Sequence, residues 1–140
     1  MKKLFTLALL LFIYILSYSQ NVTVKTTRGW IVVGRDADSN LFYIKEKPVS
    51  SNDGMIKIWS KNHANEHEIE GKIYKDVTML MLNEIDCAGK RGRLLAFTYY
   101  SSNGKQIANY TYDETEAKWM DIVPETILEK IGDTVCRLFR

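Results

Sequence analysis

The stretch from Val77 to Tyr100, VTMLMLNEIDCAGKRGRLLAFTYY, admits few folds. Two apolar runs flank a short basic loop, and Cys87 stands at the loop's edge. In an extended chain alternate side chains point to opposite faces. Val77, Met79, Met81, Asn83, Ile85 and Cys87 therefore share one face, with Thr78, Leu80, Leu82, Glu84 and Asp86 on the other. The pattern predicts an antiparallel hairpin, with Leu80 and Leu82 requiring partial cover on the second face.

The next signal is Asn103-Gly104, a strong two-residue hairpin sequence. Pairing Ser102 with Lys105 groups Leu95, Phe97 and Tyr99 with Ala108, Tyr110 and Tyr112 on one aromatic face. For that face to join Met79 and Met81, the loop after Cys87 must have an odd length. A three-residue loop Ala88-Gly89-Lys90, pairing Cys87 with Arg91, satisfies this, and Gly89 supplies the left-handed position.

Upstream, Trp30–Val33, Leu41–Glu46 and Met55–Ser60 read as strands, with SSNDG (50–54) as a turn. Asn21–Arg28 is polar and threonine-rich, and reads as a lead-in strand or a loose arm. Lys61–Lys72 is charged and reads as a loop, or else a short helix. Trp119–Val123 reads as a last short extended piece. After Pro124, Thr126 and Glu129 form a T-x-x-E capping box. Ile127, Leu128, Ile131, Val135, Leu138 and Phe139 then recur at helical spacing, with Cys136 on the edge of the stripe. Gly132 weakens that helix by about 1 kcal/mol relative to alanine, and suggests close approach to the sheet. Strands first and one helix last make the fold class α+β.

The opening residues carry Lys2 and Lys3, an apolar run from Leu4 to Leu16, and small Ser17 and Ser19. This is the pattern of a secretory leader, expected over residues 1–19, with the domain over 20–140. The run is short of the roughly 20 residues a membrane span needs. No cysteine follows it to take a lipid, so no lipid anchor and no membrane span after cleavage are expected. The whole chain holds 19 basic and 17 acidic residues. Lys2 and Lys3 fall in the leader, so the remainder carries 17 of each, and a nucleic-acid partner is not expected. In an exported chain two cysteines suggest one bridge, Cys87 to Cys136, which pins the helix to the hairpin. Two separate buried thiols are the weaker alternative. Closing a loop of about 50 residues is worth ~4 kcal/mol in the chain-entropy model.

Several of these residues, in this order, resemble the surface-adhesin protein E family. They are Glu84-Ile85-Asp86-Cys87, Arg91-Gly92-Arg93-Leu94-Leu95, Phe97-Thr98-Tyr99-Tyr100 and Asn103-Gly104, then Trp119, Val123-Pro124 and Val135-Cys136. Trp30 and Ile58-Trp59 fit the same pattern, so the resemblance spans Gly29 to Cys136. It implies an antiparallel sheet of about six strands with one C-terminal helix on one face, and Cys87 and Cys136 as the bridging pair. The family is named for an outer-surface lipoprotein that binds host proteins such as vitronectin and laminin. Here the lipid-anchor cysteine is lacking. The resemblance also implies a protein partner, from the host matrix or the cell's own envelope, and a homodimer through an edge strand.

The candidate chemistry is sparse. Lys90, Arg91 and Arg93 form a basic cluster that suits an acidic partner, with Glu84 and Asp86 across the hairpin as the competing explanation. His63 and His67, with Glu66 and Glu68, have metal-like spacing but lack the H-E-x-x-H order. Asp36, Asp38 and Asn40 resemble the start of a calcium loop without its later glycine and acid. Tyr74, Tyr99, Tyr100, Tyr110 and Tyr112 suit strand pairing or an interface. There is no glycine-rich phosphate loop, no G-x-S-x-G and no nucleophilic cysteine pattern. The expectation is a non-catalytic protein-binding module without a cofactor. A periplasmic metal-binding protein or small enzyme using His63 and His67, and a structural envelope component, are the alternatives.

Overall fold

The computed structural model describes residues 26–140. The leader expected over 1–19, and residues 21–25 of the arm, lie outside them. Nine strands form one sheet: β1 (Thr26–Thr27), β2 (Trp30–Arg35), β3 (Leu41–Lys45), β4 (Ser50–Asn52), β5 (Met55–Ile69), β6 (Lys72–Asp86), β7 (Arg91–Tyr100), β8 (Gln106–Thr111) and β9 (Met120–Asp121). One helix follows, α1 (Ile127–Phe139). Every strand pair is antiparallel, in the order β1-β2-β3-β5-β6-β7-β8. β4 joins β5 beyond the end of β3, and β9 joins β7 beyond the end of β8.

The strand count corrects the expected six to nine, and the molecule is mostly β. Of the added strands, β1 lies in the N-terminal arm and β9 in the expected Trp119–Val123 extended piece, while β4 corrects the expected SSNDG turn: Ser50–Asn52 pair with β5 and the reversal narrows to Asp53-Gly54, both at positive φ. Lys61–Lys72 is also corrected. It is not a loop but the paired ends of β5 and β6, each 15 residues long. The reversal is the two-residue turn Glu70-Gly71, both at positive φ (52° and 77°), between the paired Ile69 and Lys72. Turns of that kind match the twist of the flanking strands.

The face assignments hold, but their origin differs from the expected loop lengths. Asp86 pairs with Arg91, so the loop after β6 has four residues, and Lys90 rather than Gly89 adopts positive φ. An even loop puts the aromatic residues on the wrong face. A bulge opposite Leu82/Asn83 adds one residue to β7 and restores Met81 opposite Phe97 and Met79 opposite Tyr99. The Asn103-Gly104 turn behaves the same way. Ser101 N–H donates to the Lys105 carbonyl at 2.9 Å, leaving three loop residues. A bulge beside Tyr99/Tyr100 then returns Tyr99 to Ala108 and Phe97 to Tyr110.

The core lies between α1 and one half of the sheet. Ile131 and Val135 pack on Ile31, Phe42, Ile44, Ile56, Ile58 and Ile85. Cys87 and Cys136 are joined, with Cα atoms 5.7 Å apart and a sequence separation of 49. Thr126 caps the helix by accepting from Glu129 N–H at 3.2 Å. Glu129 returns a bond to the Glu125 N–H at 2.7 Å, one residue ahead of the cap itself. Gly132 faces Ile122, just past β9, rather than the sheet: an added Cβ would stand 2.8 Å from Ile122 Cδ1.

Beyond the helix, the same face carries an aromatic cluster. Phe97 stacks on Tyr110 (4.6 Å between centroids) and meets Tyr99 edge-on. A buried polar strip of Ser60, Asn62 and Asn83 separates it from the helix core, with Asn83 Nδ2 donating to Ser60 Oγ at 2.7 Å. Pairing between β5 and β6 breaks at Asn65 and Asp76, where Asp76 has φ 52°. Beyond the break the hairpin tip reaches this cluster. Ile69 is buried, His67 stacks on Tyr99 at 5.1 Å, and Tyr110 Oη donates to Glu70 Oε1 at 2.6 Å.

Candidate functional site

The basic cluster at the β6–β7 turn is largely tied to its own hairpin. Arg91 Nε donates to Asp86 Oδ2 at 2.9 Å. Arg93 Nε donates to Glu84 Oε2 at 2.6 Å, and its Nη1 to the Glu114 carbonyl at 2.7 Å. Both guanidinium groups lie over the Trp119 ring, at 4.8 and 4.6 Å. Asp86 also accepts from the Gly89 and Ala88 amides. Those amides, the Gly89 bond foremost, and then Arg91 hold its carboxyl below the ordinary carboxylate range. Lys57 adds a further cation, bonded to Glu114 at 2.6 Å and 3.6 Å from Glu84. Lys90 is exposed and has no acidic partner among the described residues.

The two histidines do not converge. His63 Nε2 is 3.8 Å from Asp76, and its Nδ1 is 3.5 Å from Thr78 Oγ1. His67 lies past the strand break, its Nε2 3.3 Å from Tyr99 Oη. Among the described residues no three His, Cys, Asp or Glu side chains gather as metal ligands. Asp36 closes a local turn, accepting from Asn40 N–H at 2.9 Å and Asn40 Nδ2 at 3.1 Å. The Asn40 side chain foremost holds its carboxyl below the ordinary range.

The outer edge of β8 has a different character. Among the described residues β8 pairs with β7 alone. Tyr112 N–H donates inward to the Leu95 carbonyl at 2.8 Å. Antiparallel ladders alternate, so Tyr110 and Ala108 also point inward, while the Asn109 and Thr111 amides point out. The strand reads QIANYT, without a charge or a proline. Sequence reasoning placed β8 but not its exposure. The usable signal was the lack of the lysines and prolines that normally guard an edge.

The sequence profile described as surface-adhesin protein E matches residues 30–137. The chain belongs to the surface-adhesin protein E family. The match takes in the whole sheet apart from β1, together with the Cys87–Cys136 link. The fold is also similar to solved structures of Haemophilus influenzae protein E. One aligns at a TM-score of 0.52 and 10% identity, covering 83% of this chain and 89% of that one. A selenomethionine form aligns at 0.54 and 10%, covering 83% and 92%. Protein E from a non-typeable strain aligns at 0.51 and 10%, covering 81% and 78%. At that identity the likeness speaks for the fold. No curated protein matches the chain by sequence. Among the described residues no helix is long and apolar enough to cross a membrane.

Proposed function

We propose that this member of the adhesin E family is an exported, non-catalytic protein-binding module whose partner adds a strand to the outer edge of β8. The observation that carries this reading is the uncharged, proline-free edge with the Asn109 and Thr111 amides directed outward. Strand addition takes affinity from main-chain bonds and specificity from alternate side chains. Tyr110 on one face, with Tyr112 just past the strand, and Thr111 on the other supply those side chains. The partner is a host matrix protein or a protein of the producing cell's envelope, and a second copy of the chain fits the same edge. Lys90 is the member of the basic cluster free to meet an acidic rim, while Arg91 and Arg93 keep their hairpin partners.

Thr111→Pro tests the reading. It removes an outward amide without breaking a β7 bond, a position where an edge strand tolerates proline. Purified wild-type and Thr111→Pro domains are passed over matrix proteins and envelope extract, and their self-association is measured by sedimentation. The reading expects capture or self-association by the wild type and its loss in the variant, with thermal stability unchanged. Equal binding by both would contradict it.

A further inference from the structure

The sheet face turned away from α1 has two halves that treat their cations differently. Near the β6–β7 turn, Lys57, Arg91 and Arg93 all meet carboxylates. Toward β2, two lysines do not. Lys45 Nζ and Lys61 Nζ lie 4.5 and 4.3 Å from the centroid of the same Trp30 ring, and Lys61 also lies 5.1 Å from Tyr43. Neither ammonium has a carboxylate within ion-pair distance among the described residues. Ring faces attract cations but do not neutralise them. Burial first, and then the charge of Lys45, lower the Lys61 pKa.

The register sets this pair beside apolar rows. Lys61 stands opposite Leu80, and Trp59 opposite Leu82, with all of these half-buried. A shallow cleft lined by Tyr43, Lys61, Asn62, His63 and Thr78 adjoins Lys61. The acid near it, Asp76, faces His63.

We infer that the Trp30–Lys45–Lys61 face is a second binding surface, which takes an acidic, partly apolar peptide segment of a partner protein. Its carboxylates complete the two unpaired ammoniums, and its apolar side chains cover Trp59, Leu80 and Leu82. Charge complementarity of this kind sets specificity and encounter rate. The chemistry favours a peptide over a saccharide. Beside its two ammoniums the patch offers the half-buried apolar surfaces of Trp59, Leu80 and Leu82, which the side chains of a peptide cover and the hydroxyls of a sugar do not. The surface is separate from the β8 edge and does not depend on it.

The test uses a fluorescent peptide of alternating glutamate and leucine, its glutamine analogue, and a sulfated oligosaccharide of equal charge. Binding is read by anisotropy at low and high salt. The expected result is saturable, salt-sensitive binding of the glutamate peptide. It weakens by about tenfold or more with the glutamine analogue or in the Lys45→Gln/Lys61→Gln chain. Lys61→Arg keeps the charge and stays within about threefold. In the unmutated protein the Trp30 indole N–H resonance shifts on titration, a readout that needs no variant to fold. Thr111→Pro leaves this binding intact, so failure here and failure at the β8 edge are told apart. The inference is overturned by equal binding of the glutamine analogue, by tighter binding of the saccharide, by an unaffected double variant, or by an unmoved Trp30 resonance.

Discussion

Arg93 and Glu84 show how one residue pair shapes this hairpin. Glu84 is 5% exposed and the Arg93 side chain 10%, so both charges are largely removed from water. Breaking a buried pair strands its partner. Arg93→Met is expected to cost about 2–3 kcal/mol in a denaturant melt, below the range for a fully buried pair because Lys57 still neighbours Glu84. Glu84→Leu added to Arg93→Met should recover much of that loss. Asp86 acts through acid sensitivity. Its folded pKa lies below the ordinary 3.8, so its stabilising contribution is complete above that value and is lost as pH falls through the lowered one. Asp113 shifts the same way, through the Thr115 hydroxyl first. Melts of Asp86→Asn against the unmutated chain should therefore differ most above pH 4 and converge in stronger acid.

At the scale of elements, the β5–β6 hairpin is the feature least visible in the sequence. Leu41–Glu46, Met55–Ser60 and the capping box are legible because one face is buried, so apolar residues alternate or recur at helical spacing. Past Lys61 both faces meet water for most of the run, and the charges of HANEHEIEGK hide the strand. The Glu70-Gly71 turn was the readable clue. The tip is anchored by few contacts, chiefly Ile69, the His67–Tyr99 stack and the Tyr110–Glu70 bond. That bond is also the first cause of the raised Tyr110 pKa. Tyr110→Phe with His67→Ala should speed amide exchange across 65–75 while leaving the melting midpoint little changed, because local opening is separate from global unfolding. The face assignments were legible for another reason. A one-residue slip sends every side chain to the wrong side, so the bulges in β7 and β8 compensate for turn lengths that short motifs do not fix. The candidate site was less legible. Lys90, Arg91 and Arg93 stand out as a basic run, but their neutralisation by Glu84, Asp86 and Glu114 depends on cross-strand register and on the 113–119 segment.

For the whole molecule, the Cys87–Cys136 link holds the helix to the β6–β7 turn. Replacing both cysteines by alanine should lower stability by about 4 kcal/mol through the loop freed in the unfolded state. Equilibrium denaturation of reduced and oxidised protein checks this independently. With the helix clamped on one half-face and the β5–β6 tip over the other, β8 is left as the open side of a rigid platform. Amide exchange along β8, with and without a captured protein partner, tests this most directly. The Asn109 and Thr111 amides should slow by about tenfold or more on binding, while Ala108 and Tyr110, already bonded to β7, change little. Unchanged exchange at Asn109 and Thr111 in a partner-bound sample would contradict strand addition at this edge.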